Sequence, residues 1–173
     1  MHIQFLGASQ EVTGSKYLIR GKAAGLDHCF LIDYGMFQGG READTKNLAS
    51  LPIEPGKLDF VILTHAHIDH SGLLPRLCAQ GFAGPIYCTK ASHALLKILL
   101  PDSAHLQEQD LERATRRQKL GKWRGELPEV LYTTKEAQAC LAQIRVVDYH
   151  EPFEPCPGIT AVFHNAGQDR KSV

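Results

Sequence analysis

At 173 residues and 43% hydrophobic content, the chain is long enough for one domain with a sizeable core and ordinary for a globular protein. Nineteen Lys and Arg balance nineteen Asp and Glu, so a global basic field of the nucleic-acid-binding kind is excluded, though not a local basic patch. The five cysteines, Cys29, Cys78, Cys88, Cys140 and Cys156, are scattered without a CxxC pair, which argues against a disulfide framework or a thiolate zinc site and for small buried or half-buried thiols in a reducing compartment.

The opening MHIQFLG reads as a strand and turn, not as a charged region before a long apolar one, so no signal peptide or membrane span is expected and a cytoplasmic location is the default. Ile3–Leu6 is a short strand ended by Gly7. Ser15–Arg20 and His28–Ile32 are further strands across a glycine-rich turn at Gly21–Gly25. The polar stretch Phe37–Gly56 is loop with a short helix. Leu58–Leu63 is an apolar, β-branched strand of the buried type. Ser71–Gln80 reads as a helix stopped at Gly81, and Pro85–Cys88 as a strand. Lys90–Leu100 is apolar at helical spacing through Ala91, Ala94, Leu95, Ile98 and Leu99, and Pro101 is expected to break it. A charged helix Ser103–Leu120 follows, then a third at Thr134–Ile144 with Thr134 as N-cap, then short strands and turns. Alternating strands and helices make the class α/β.

The chemistry concentrates in THAHIDH, directly after the apolar strand. His65 and His67 are two residues apart, which puts both imidazoles on one side of an extended segment. Asp69 and His70 come next, at the expected start of a helix, and Gly72 lets backbone approach closely. One metal ion can take His65 and His67, and a second Asp69 and His70. Nitrogen and carboxylate donors without thiolate suit zinc, with manganese or iron as alternatives. Two ions roughly 3.5–4 Å apart form a clamp for hydrolytic displacement. A bridging water between them would have its pKa lowered toward ~7. Surface histidines and a chance aspartate would not account for the spacing, the strand and Gly72 together.

HxHxDH after an apolar strand resembles the signature of the metallo-β-lactamase fold. FLGASQEVTGSKYLI resembles the first hairpin of its β-CASP branch, the RNA- and DNA-processing nucleases, and FLIDYGMFQGG that branch's second signature. DSAHLQEQD and LYTTKEAQACL are similar to segments of its bacterial and archaeal ribonucleases, and EPFEPCPGITAVFHNAG leads toward the third metal motif. Tyr34 departs from the small residue, often Cys, expected after the aspartate. The resemblance implies an αββα sandwich of which this chain holds the N-terminal half, without the second half or the β-CASP insert. It implies a dinuclear zinc phosphodiesterase acting on RNA, with single-stranded DNA as an alternative and a homodimer for the full-length protein. His65, His67, Asp69 and His70 would bind metal. His65, His67 and Asp69 would be catalytic, with Asp69 orienting the hydroxide, and Asp33 would support the ligands from behind.

In the family an AGH segment supplies a further ligand, where this chain has HNAGQDRKSV with Gln168, a weak neutral donor. His164, four residues earlier, is poorly placed by strand geometry to substitute. Residues 1–167 therefore read as a partial domain and 168–173 as an unrelated tail left by truncation or a frameshift. Such a half sandwich is expected to leave a sheet edge unpaired and an apolar face uncovered, to bind metal weakly and to have little nuclease activity.

Arg113, Arg116, Arg117, Lys119, Lys122 and Arg124 form a basic run around Trp123, read either as an RNA contact or as a solvated helix face. His105 and Asp102 are placed near the cleft or, more simply, Asp102 or Ser103 caps a helix. His2, His28, His93 and His150 read as surface residues. Neither GxGxxG nor GxSxG occurs. Two other functions stay open: hydrolysis of a small-molecule ester or thioester on the same fold, and a non-catalytic half-domain that binds RNA or a partner.

Overall fold

The computed structural model describes residues 1–166. Gln168 and the tail 168–173 lie outside the described residues. Six strands form one mixed sheet in sequential order: β1 (His2–Gly7), β2 (Lys16–Ala23), β3 (Leu26–Tyr34), β4 (Val61–Ile62), β5 (Ile86–Thr89) and β6 (Ile144–Val147). The first three pair antiparallel through a tight turn, and β3 to β6 are parallel. Parallel neighbours need crossovers, and each crossover here carries helix: α1 (Arg41–Leu48), then α2 (Ile68–Ser71) with α3 (Leu74–Ala79), then α4 (Lys90–Lys119) with α5 (Thr134–Leu141).

The helices share one face of the sheet. Leu18, Leu31, Leu63, Leu73, Leu74, Leu77, Ile86, Leu96, Leu100 and Tyr132 close a single core there, each at most 1% exposed. The other face carries a smaller cluster of Ile19, Phe30 and Phe60, partly covered by the hairpin β7 (Phe153–Cys156) and β8 (Ile159–Ala161). Phe30 stacks on Phe60, and Phe153 lies 5.0 Å from Tyr87. β1 ends the sheet, and Ile3 and Phe5, on one of its faces, are 52% and 63% exposed. No helix among the described residues is long and apolar enough to cross a membrane.

Several local expectations need correction. Pro101 does not break the helix; α4 runs 30 residues through it. Its ring removes one amide donor, but Leu96, Leu100 and Ala104 on the same face are fully buried, and that packing outweighs a penalty of about 3 kcal/mol. Neither Asp102 nor Ser103 therefore starts a helix; Ser103 Oγ accepts from the Tyr132 hydroxyl at 3.0 Å. The buried stripe, Ser92, Leu96, Leu100 and Ala104, also leaves Leu95 and Ile98 exposed. The helix read over Ser71–Gln80 is two, α2 and α3, because Pro75 has no amide to continue the first and Leu73 N–H donates instead to Tyr34 O at 3.0 Å. The N-cap of α5 is Thr133, in a capping box with Glu136, while Thr134 hydrogen-bonds Glu108 of α4 through both its amide and its hydroxyl. His28 is buried, 7% exposed, with Nδ1 3.4 Å from Asp59.

Candidate metal centre

The candidate residues gather at the C-terminal ends of β3 and β4, where ligand sites in open parallel sheets form. β3 ends on Asp33 and Tyr34, and β4 runs out into Thr64–His67 before α2. Hydrogen bonds hold the segment 64–71 to its neighbours and to itself. Ser15 N–H donates to Asp69 O at 2.8 Å, Met36 N–H to Ile68 O at 3.0 Å, and Ser71 Oγ to the carbonyls of Ala66 and His67, both at 3.0 Å. Gly35 makes the approach possible: a Cβ there would sit 1.7 Å from Asp69 O. Gly72 does the same against Ile68 O and Met36.

Asp33 is the hub. It is 1% exposed and has φ of +56°, a left-handed backbone that aspartate tolerates better than most residues. Its Oδ1 accepts from Thr64 N–H at 2.7 Å, and its Oδ2 from Thr64 Oγ1 and from His70 Nδ1–H, each at 2.7 Å. Thr64 Oγ1 in turn lies 3.0 Å from His65 Nδ1. A proton on each Nδ1 satisfies every partner in this chain, so His65 and His70 both keep an Nε2 lone pair free.

Those lone pairs meet partners. His65 Nε2 lies 3.1 Å from His67 Nδ1, and His70 Nε2 lies 3.6 Å from Asp69 Oδ2. Tetrahedral zinc, with Zn–N of about 2.0–2.1 Å, holds two ligating nitrogens about 3.3 Å apart, so both pairs have the separation of donors converging on one ion. The rings of His65 and His70 are 4.0 Å apart, which sets the pairs side by side. The donors stay in pairs: no group of three or more His, Cys, Asp or Glu able to hold one ion forms among the described residues. The residues present would thus supply two donors to each of two ions. Ser15 Oγ lies 3.5 Å from His70 Nε2.

Charge follows the same division. Burial, then the charges of His70 and His67, lowers the pKa of His65 and favours its neutral, ligating form. Burial also lowers that of His70, but the hydrogen bond and charge of Asp33, with the charge of Asp69, outweigh it and leave His70 raised.

Sequence reasoning named His65, His67, Asp69, His70 and Asp33, which the structure brings together, but not Thr64 and Ser15, which no spacing pattern marks. His105 and Asp102 do not join the centre: they stand in the middle of α4, His105 bonded to Gln109. His164 stands against His150, 5.3 Å between ring centroids.

Residues 11–151 match the family model described as the metallo-beta-lactamase superfamily. The chain is 41% identical over 109 residues, 63% of its length, to "Ribonuclease TTHA0252" of Thermus thermophilus. It is 30% identical over 167 residues, 96% of its length, to "Transcription termination factor FttA" of Methanocaldococcus jannaschii. It spans 24% and 23% of these two proteins. Among solved structures, a metallo-beta-lactamase fold protein of Bacillus subtilis, YhfI, is 20% identical with a TM-score of 0.42, covering 88% of this chain and 48% of that one.

Proposed function

The chain belongs to the metallo-beta-lactamase superfamily, and from that premise we propose that it is the N-terminal part of a β-CASP-type hydrolase that cuts RNA phosphodiester bonds with two zinc ions. The observation that carries this is the pair of pairs: His65 with His67 at 3.1 Å and Asp69 with His70 at 3.6 Å, backed by Asp33. The RNA part rests on the names of the two relatives, one a ribonuclease and the other a transcription termination factor.

When bound, such ions supply Lewis-acid stabilisation of phosphoryl charge and a water that ionises near neutral pH. His65 and His67 would hold one ion, Asp69 and His70 the other. Asp33 fixes the His70 ring with Nδ1 protonated and Nε2 turned inward, and Thr64 passes the same order to His65. Asp69 orients the attacking water by accepting its hydrogen bond. Manganese or iron would fit the same donors. At the far end of α4, Arg116, Lys119, Lys122 and Arg124 carry no ion pair among the described residues, and Arg117 lies 5.6 Å from the Trp123 ring. That surface suits an RNA backbone.

With two donors for each ion among the described residues, this polypeptide alone would bind zinc weakly and turn over little RNA. The test has two arms. The purified chain should carry well under two zinc ions by mass spectrometry and carry less in His67→Ala. A longer protein combining residues 1–166 with the superfamily's remaining ligands should cleave RNA only with metal, and not as His67→Ala. Turnover of thioesters or lactones with RNA untouched would overturn the reading.

A further inference from the structure

Ser15 and Lys16 turn opposite ways. Ser15 faces the metal centre, while Lys16 points its ammonium between two rings, 4.4 Å from the Phe37 centroid and 5.2 Å from that of Tyr34. Lys16 is only 6% exposed, yet it makes no ion pair and its Nζ no hydrogen bond among the described residues. Ring faces offset part of the cost of burying a cation, but they do not neutralise it.

A second cation stands behind it. Arg76 donates to Leu131 O and Leu48 O at 3.5 and 3.2 Å, its Nε is buried without a partner, and no carboxylate pairs with it among the described residues. Burial, then the charge of Arg76, pushes Lys16 down to about 8. Lys16 lines a cavity of about 290 Å³ together with Ser9, Ser50, Leu51, Glu11 and Lys46. Glu11 is the carboxylate there, and it pairs with Lys46 at 2.7 Å, which also holds Glu42 at 2.8 Å. The cavity therefore holds an ammonium with no direct ion-pair partner among the described residues.

We propose that this cavity is an anion site that takes a phosphate monoester, with its phosphate on Lys16 Nζ and its organic body against Phe37 and Leu51. An ammonium and serine hydroxyls are point donors, not a planar fork, and they suit a tetrahedral oxyanion better than a flat carboxylate. The site is separate from the metal centre and does not depend on RNA turnover.

The test is calorimetric titration and thermal unfolding of the whole chain at pH 7, with inorganic phosphate and with adenosine 5′-monophosphate, against chloride at equal ionic strength. Saturating ligand should raise Tm by about 3–5 °C at ten times Kd. Tighter binding of the nucleotide assigns the apolar wall to a nucleoside; equal binding assigns the site to the phosphate group alone. Lys16→Met, which keeps the stem and removes an uncompensated charge, should fold in chloride and lose binding more than tenfold. Lys16→Arg should keep it, and guards against a misfolded Met variant. A His65→Ala/His67→Ala double variant should bind phosphate as the parent does. Binding of neither probe, undiminished binding by Lys16→Met, or loss in the histidine double variant would overturn the proposal.

Discussion

Replacing Asp33 with Asn exchanges one oxygen for an amino group at the hub of the candidate centre. The carboxylate accepts three hydrogen bonds, all at 2.7 Å: from Thr64 N–H, Thr64 Oγ1 and His70 Nδ1–H. Asparagine keeps one acceptor, which the Thr64 amide claims. Its amino group then faces the Thr64 hydroxyl and His70 Nδ1, both donors in the parent. Thr64 Oγ1 must turn and accept, which withdraws its order from His65 Nδ1. His70 must take the other tautomer, with its proton on Nε2, the atom 3.6 Å from Asp69. Two charge-assisted hydrogen bonds are lost from a fully buried site, each worth about 1.5–3 kcal/mol. Relief of carboxylate burial offsets part of that, so a net loss of about 1–3 kcal/mol is expected. Asparagine tolerates the positive φ of Asp33, so backbone strain does not confuse the result. Chemical denaturation measures the stability change, and nitrogen-15 NMR of the imidazoles reads the tautomer directly. Zinc affinity, by competition with an indicator dye, should fall about 10–100-fold. A folded Asp33→Asn variant with the His70 proton still on Nδ1 and unchanged zinc affinity would refute the chain of reasoning.

Three further outcomes are expected. The pKa of Lys16 is about 8 in the folded chain against an ordinary 10.5, so the unfolded state binds more protons between those values. Stability gains as pH rises through that window, by at most about 3 kcal/mol. Denaturation from pH 7 to 11 should show a rise that Lys16→Met lacks; parallel curves for the two proteins would count against a buried ammonium. Pro101→Ala restores an amide donor inside a continuous helix and should raise Tm by several degrees, given the roughly 3 kcal/mol cost of an internal proline; a lower Tm would mean that α4 is broken there after all. Gly35→Ala places a Cβ 1.7 Å from Asp69 O, so circular dichroism melts should show a loss beyond about 3 kcal/mol, the level reserved for large backbone conflicts; a loss under about 1 kcal/mol would show that the two loops part without cost.

What could be read from the sequence was what short spacing controls. The candidate ligands lie within six residues of one another on a strand end, so alternation alone put His65 and His67 together, and the structure holds them at 3.1 Å. The α/β class followed from alternating apolar periods, and the sheet bears it out. What escaped was set by distant partners. Thr64 meets Asp33 across 31 residues, and nothing local marks a threonine as the link between a carboxylate and an imidazole. Pro101 was misjudged because a local rule competed with the burial of Leu96, Leu100 and Ala104, and tertiary packing won. His28 carries no pattern, since only strand pairing decides that its side of β3 is covered. Lys16, in the middle of a family-like segment, gives no hint in the sequence that its ammonium is enclosed.

The long helix has a mechanical side. Thirty residues rise about 45 Å, whereas six strands about 4.8 Å apart span roughly 24 Å. Ala114 is the last buried residue of α4, and from Thr115 onward it is a cantilever whose tip bears Arg116, Arg117 and Lys119. Its root, Thr89, is the last residue of β5. The brace is the returning stretch of chain, tied by Leu131 to Gln107 and by Thr134 to Glu108. A load on the basic tip therefore acts through a long arm on the central sheet, with Gln107 and Glu108 as fulcrum. Those two ties set how a load at the tip reaches the strand ends beside the candidate centre.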